Sequence, residues 1–130
     1  MLNQTGITKV TGTTTNQILF NVQNQVAVSI KLAKNFVGAV TENSRQIVKA
    51  GTPLSGDLTA RETAFVAAAD TTAPAVGVLL HDVDVTDNAA NASLLIWGFV
   101  NLSRLDTATA AKITTTRKTE LSGHITFLKD

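Results

Sequence analysis

The chain has 130 residues, the size of a single domain with a substantial buried core. Charged residues make up only 16% of it and the formal net charge is +1, which gives no electrostatic footprint for nucleic acid. Cysteine is absent, which excludes disulfides, thiolate zinc sites and cysteine nucleophiles. The composition favours a protein that buries surface against its neighbours over an enzyme with clustered titratable groups.

The first 17 residues show no period typical of a helix or strand. They are rich in Thr, Gln, Asn and Gly, with Leu2, Ile7 and Val10 spaced among them. The segment 1–17 predicts an N-terminal arm that is either flexible or orders on a partner, the alternative being a frayed terminus. It lacks the basic and apolar regions of a secretory signal. Because the longest apolar stretches fall far short of the roughly 20 residues of a membrane span, we expect a soluble protein with no membrane contact.

The chain after residue 17 is predicted to be mainly β-structure. Apolar and other residues alternate over residues 26–32, which predicts a half-buried strand. The same signal over residues 18–22 indicates that the two segments form a hairpin. Residues 42–44 predict a turn, and residues 60–75 a short strand with a loop.

The clearest strand signals lie between residues 76 and 102. The first strand of this region has one apolar face, and its other face changes from apolar to acidic. The second strand, LLIWGFV, is apolar on both faces, with Leu95, Trp97 and Phe99 sharing one of them. Such a strand must be covered twice, by the chain's own core and by another layer or subunit. We therefore place these three residues at an oligomer interface, the alternative for Trp97 being a position in the core.

The C-terminal region predicts one helix and a closing strand. Asp106 is a candidate helix cap, and Gly123 a stop signal. Residues 124–129 alternate as a strand does. Residues that fall near one face of the helix are Leu105, Ala110, Ile113, Arg117 and Leu121. The expected fold is thus a compact β-barrel or β-sandwich-like domain over residues 18–130, with one C-terminal helix and an N-terminal arm.

A histidine and three aspartates cluster at the end of the first strand of the 76–102 region. They are His81, Asp82, Asp84 and Asp87. A calcium loop needs more oxygen ligands and a glycine turn, and the other histidine, His124, is too distant in sequence to suggest zinc. Like charges at alternate positions protect an edge strand from unwanted pairing. We interpret the cluster as a solvated rim, and predict no metal, no cofactor and no catalytic residue.

Four stretches of the chain, taken in order, resemble one protein family. They are VKAGTPLSGDL, AVGVLLHDVDVT, LLIWGFVNLSRLD and the closing HITFLK. Together they resemble head decoration and head fibre proteins of tailed bacteriophages, over about residues 46–129. The region before residue 46 is longer and richer in strands than in that family. The matching motifs are structural and contain no catalytic residues, so the resemblance implies binding and reinforcement.

The resemblance implies a lambda-type decoration protein on the exterior of the virion, assembled in the host cytoplasm. Such proteins form trimers at local threefold sites, and their arm orders against the major capsid protein. We expect Leu2, Ile7 and Val10 to bind the capsid by adding strand contacts. The alternative is a head fibre or host-surface adhesin that binds glycans. An enzyme ranks third, because no base, nucleophile and oxyanion donors converge in the sequence.

Overall fold

A computed structural model describes residues 18–19, 25–69 and 72–129 of the chain. Within these ranges the fold is mainly β, as predicted, and no closed barrel forms. The strands are β1 Val26–Leu32, β2 Val40–Glu42, β3 Arg45–Val48, β4 Pro53–Ser55, β5 Val66–Ala67, β6 Gly77–Leu79, β7 Val83–Asp84, β8 Ala90–Asn101 and β9 Ile125–Leu128. A 3-10 turn, Leu102–Arg104, and the helices α1 Thr107–Ala110 and α2 Thr115–Glu120 separate β8 from β9.

The long strand β8 organises the main sheet, because neighbouring strands cover both of its edges. Antiparallel β1 follows one edge, from Val26 opposite Trp97 to Leu32 opposite Ala90. On the other edge, β6 pairs antiparallel with residues 94–95, and β9 pairs in parallel with Gly98 and the residues after it. β4 and β5 extend the sheet beyond β6.

A smaller sheet of three antiparallel strands, β2-β3-β7, adjoins the main sheet. β2 and β3 form a hairpin whose turn, predicted from residues 42–44, is confirmed. Asn43 and Ser44 adopt φ values of 51° and 63°. Positive φ at both central residues is typical of the tight turns that match strand twist, and asparagine tolerates this conformation well.

Two apolar cores lie on opposite sides of β8, so the chain itself covers both faces of this strand where it is most apolar. Leu95 belongs to the first core, with the helices, and Leu94 to the second, with β1. Both side chains are fully buried. Of the covers that the sequence argument allowed for the second face, this part of β8 has another layer of the same chain and needs no second subunit.

A β-bulge in β8 reverses which of its side chains face the first core. Val26 lies opposite Trp97 but Ala27 lies opposite Leu95, so Ile96 is an extra residue on β8. Leu95 and Val100 consequently share the first core although they are five positions apart. The predicted common face of Leu95, Trp97 and Phe99 is wrong, because the bulge turns the last two away from that core.

The strand predicted from residue 76 onward is divided between the two sheets. β6 ends at Leu79, and β7 pairs with β3 through Val83 and Asp84. Residues 80–82 make the crossing between the sheets. The hairpin predicted for residues 18–22 is not formed by its described part, because Leu19 pairs with Val100 on the same edge of β8 that β1 follows.

The single predicted C-terminal helix is in fact two short ones. Thr114 has an extended backbone, and its hydroxyl accepts the N–H of Arg117 at 3.3 Å, so it caps α2 and interrupts the helix. Asp106 precedes α1 but makes no capping hydrogen bond from its side chain. The predicted inward face is largely confirmed, since Leu105, Ile113 and Leu121 are buried.

The helices within the described residues are all short. None of them is long and apolar enough to cross a membrane. The predicted arm, with Leu2, Ile7 and Val10, lies outside the described residues.

Candidate interaction surfaces

The acidic strand end is paired with two cations, Arg45 in the neighbouring strand β3 and Lys49 directly after it. Arg45 lies 2.8 Å from the carboxylate of Asp84 and 3.0 Å from that of Asp87. The hydrogen bond from Arg45, together with hydrogen bonds from Thr86, lowers the pKa of Asp84 to about 2. These groups are well exposed to solvent, so the arrangement is a screened ion pair on the surface.

Asp82 has a more structural position than the other two aspartates. Its carboxylate accepts the backbone N–H of Ala50 at 2.7 Å and lies 3.3 Å from the ammonium of Lys49. Lys49 also contacts Glu42 at 3.2 Å. Burial disfavours the charged form of Lys49, but the hydrogen bonds to Glu42 and Asp82 outweigh it and raise the pKa of Lys49. Asp82 therefore connects the crossing between the two sheets to the residues that directly follow β3.

The structure does not assemble the histidine and the aspartates into a reaction centre. No hydrogen bond or ion pair among the described residues joins His81 to any of the three aspartates, and the Nδ1 atom of His81 is buried without a partner. Within the described part of the chain, no group of three or more acidic, histidine or cysteine side chains is placed to hold a metal ion. The aspartates bind cations of the protein itself.

An exposed aromatic patch lies at the far end of β8, beyond the bulge. It consists of Val26, Trp97 and Phe99. Val26 and Trp97 are directly opposite each other, with 47% and 43% of their surfaces exposed. The ring of Trp97 meets that of Phe99 edge to face, with centroids 6.3 Å apart. This mutual contact holds the exposed indole in a defined orientation.

An open apolar groove of about 480 Å³ lies at the other end of β1. The buried rings of Phe36 and Phe65 contribute to its lining, and Val37 and Val66 line its exposed part. Its volume is in the range of ligand sites, but such sites need several polar groups that converge on the ligand. Lys34 and Asn35 are the polar side chains among the lining residues. The groove therefore has no arrangement that would fix a ligand's orientation.

The predicted interface residues are separated by the fold. Leu95 is a core residue with no exposed surface, so its assignment to an oligomer interface is wrong. Trp97 and Phe99 remain together on the surface. Val26 completes their patch and was missed by the sequence analysis, although its alternation with Val28 and Ile30 placed it on a strand.

Comparison with known proteins adds no assignment to these surfaces. No protein-family model matches the chain, and no curated protein matches it significantly.

Proposed function

We propose that this protein is a decoration protein that binds the outer surface of a phage head and stabilises the capsid lattice. It bridges neighbouring subunits of the major capsid protein and so raises the resistance of the shell to internal DNA pressure. In this proposal its place is the exterior of the virion, and its action is binding without catalysis.

The observation that carries the proposal is the aromatic patch on an otherwise well-packed β-domain. Trp is the residue type most enriched at the energetic centres of protein interfaces. The three aspartates of the acidic rim, in contrast, are engaged with Arg45, Lys49 and the backbone. Together with the resemblance over residues 46–129, this contrast supports a protein that acts by contact.

A homotrimer remains part of the proposal because the resemblance implies it. The need to cover β8 no longer supports a trimer, since the chain's own cores bury Leu94 and Leu95. Sedimentation velocity at high micromolar concentration distinguishes a trimer in solution from a monomer that assembles only on the capsid. The arm is tested separately by deleting residues 1–12, which should weaken capsid binding and leave the melting temperature unchanged.

The primary test is co-sedimentation with capsids that lack the protein. We expect saturable binding with a fixed number of copies per capsid, and heads that release their DNA at a higher temperature once the protein is bound. Absence of binding under conditions in which the protein is folded would refute the proposal.

The second candidate is a head fibre or host-surface adhesin that binds glycans. The observation in its favour is the half-exposed indole of Trp97, because flat aromatic faces can stack on sugar rings. Binding to host-cell envelopes, together with no binding to undecorated capsids, would favour this candidate over the first.

A further inference from the structure

We infer that the outer edge of β9, together with the aromatic patch, is a docking site for an extended segment of the capsid protein. The segment adds a strand to β9 and places a large apolar side chain against Trp97 and Phe99. This inference rests on the proposed function, because it names the surface of this protein and the kind of partner segment that meet on the capsid.

Strand β9 ends the series of strands in the main sheet, as far as the described residues extend. Gly98 donates its N–H to the carbonyl of His124, which fixes the parallel ladder so that Thr126 and Leu128 donate to β8. The polar groups of Phe127 therefore face away from β8. Among the described residues no hydrogen bond besides the ladder uses the N–H of Phe127. The N–H of Ile125, which also faces away from β8, donates to the carbonyl of Leu121, so the open part of the edge begins at Phe127, where another strand can pair.

The residue of β9 that matters for contact with the patch is Thr126. Thr126 lies opposite Phe99 in the register and is exposed, so it is the β9 residue between the open edge and the patch. Because threonine is small, a long apolar side chain on an added strand reaches past it to the rings of Phe99 and Trp97. The added strand lies two strand spacings, about 9–10 Å, from β8, so the contact needs both a long side chain on that strand and the rings of β8 to close the gap over Thr126.

The exposed area of the aromatic patch favours an added strand over a second globular copy of the chain. Trp97 and Val26 together expose on the order of 200 Å² of side chain, given that a large aromatic residue has up to about 250 Å² to bury. A stable interface between two globular proteins needs about 800 Å² from each partner. The patch is too small for that, but it suits one or two side chains of a segment held by backbone hydrogen bonds.

The test combines amide hydrogen exchange with a charge substitution, using the full chain and capsids that lack it. In the free protein we expect the amide of Phe127 to exchange rapidly, and on capsids we expect exchange in β9 to slow. Thr126→Glu places a charge between the edge and the patch, and should weaken capsid binding about tenfold or more. The matched control is Thr63→Glu, the same change at an exposed position near the other end of β1, which should bind as the unchanged protein does.

Each outcome bears on a different part of the argument. Binding with protection of β9, and its loss in Thr126→Glu alone, supports the inference. Normal binding with unchanged exchange in β9 overturns it and leaves the decoration function intact. If the unchanged protein does not bind capsids, the decoration function fails and the inference fails with it. Should Thr126→Glu melt early, the exchange measurement on the unchanged protein decides alone.

Discussion

Replacing Leu95 by alanine tests a central feature of the fold, the burial of this β8 side chain in the first core. Leu95 has no exposed surface, and it lies on a strand pinned by partners on both edges: Ala27 on one side and Val78 on the other. The pinned strands limit collapse around the lost side chain, so a cavity remains. A buried Leu→Ala change then costs about 3–5 kcal/mol, a large share of the roughly 5–15 kcal/mol that stabilises a typical domain.

The matched control is the same substitution at Leu58, which is 39% exposed in a turn and has less packing to lose. We expect Leu58→Ala to cost about 1 kcal/mol or less, as substitutions near the surface usually do. Urea denaturation measures both variants, with a constant slope confirming that only stability has changed. Equal losses from the two substitutions would refute the assignment of Leu95 to the core. So would a Leu95 variant that dissociates an oligomer while each subunit keeps its stability.

Further predictions concern the acidic rim and the contact of β6 with β8. The folded-state pKa of Asp84, about 2, lies below the unfolded value of about 3.9, so its stabilising effect is complete above the unfolded pKa and is lost as pH falls through about 2. A carboxyl NMR titration measures this directly, and a midpoint near 3.9 would contradict it. Asp82→Ala should cost about 1–3 kcal/mol in urea denaturation, because it leaves the buried N–H of Ala50 without its acceptor, whereas Asp87→Ala should stay within about 0.5 kcal/mol. Gly77→Ala should destabilise the fold by about 1–3 kcal/mol and lower the melting temperature, because a Cβ there would lie 2.5 Å from the backbone carbonyl oxygen of Leu95 on β8. An unchanged melting temperature would show that β6 and β8 can move apart without cost.

Much of the β-structure could be predicted because its sequence signals are local. Alternation predicted β1 and β9, and the residues Asn43 and Ser44 predicted the turn of the hairpin. The break in the C-terminal helix also has a local cause, the capping hydroxyl of Thr114. It was missed because the apolar period runs on through the break, with Ile113 and Leu121 buried on either side of it.

The aromatic patch was harder to predict because the β-bulge that determines it does not change the hydrophobic pattern of the sequence. Residues 94–97 are apolar at every position, so an extra residue at Ile96 changes the facing of the strand without changing its hydrophobic character. The sequence therefore predicted that Leu95 and Trp97 share one face of the strand, whereas the bulge places them on opposite faces. In the same way, the continuous alternation through Leu79 and Val83 conceals the crossing from one sheet to the other. The pairing of the aspartates with Arg45 and Lys49 depends on segments more than thirty residues apart in the chain, which no local pattern reports.

The most direct test of the proposed function is an electron cryomicroscopy reconstruction of phage heads that lack decoration, incubated with the purified protein. The account predicts added density on the outside of the shell at repeated lattice positions, with β9 and Trp97 facing a capsid segment in extended conformation. Capsids that remain bare, although the protein in the same sample is folded, would contradict it.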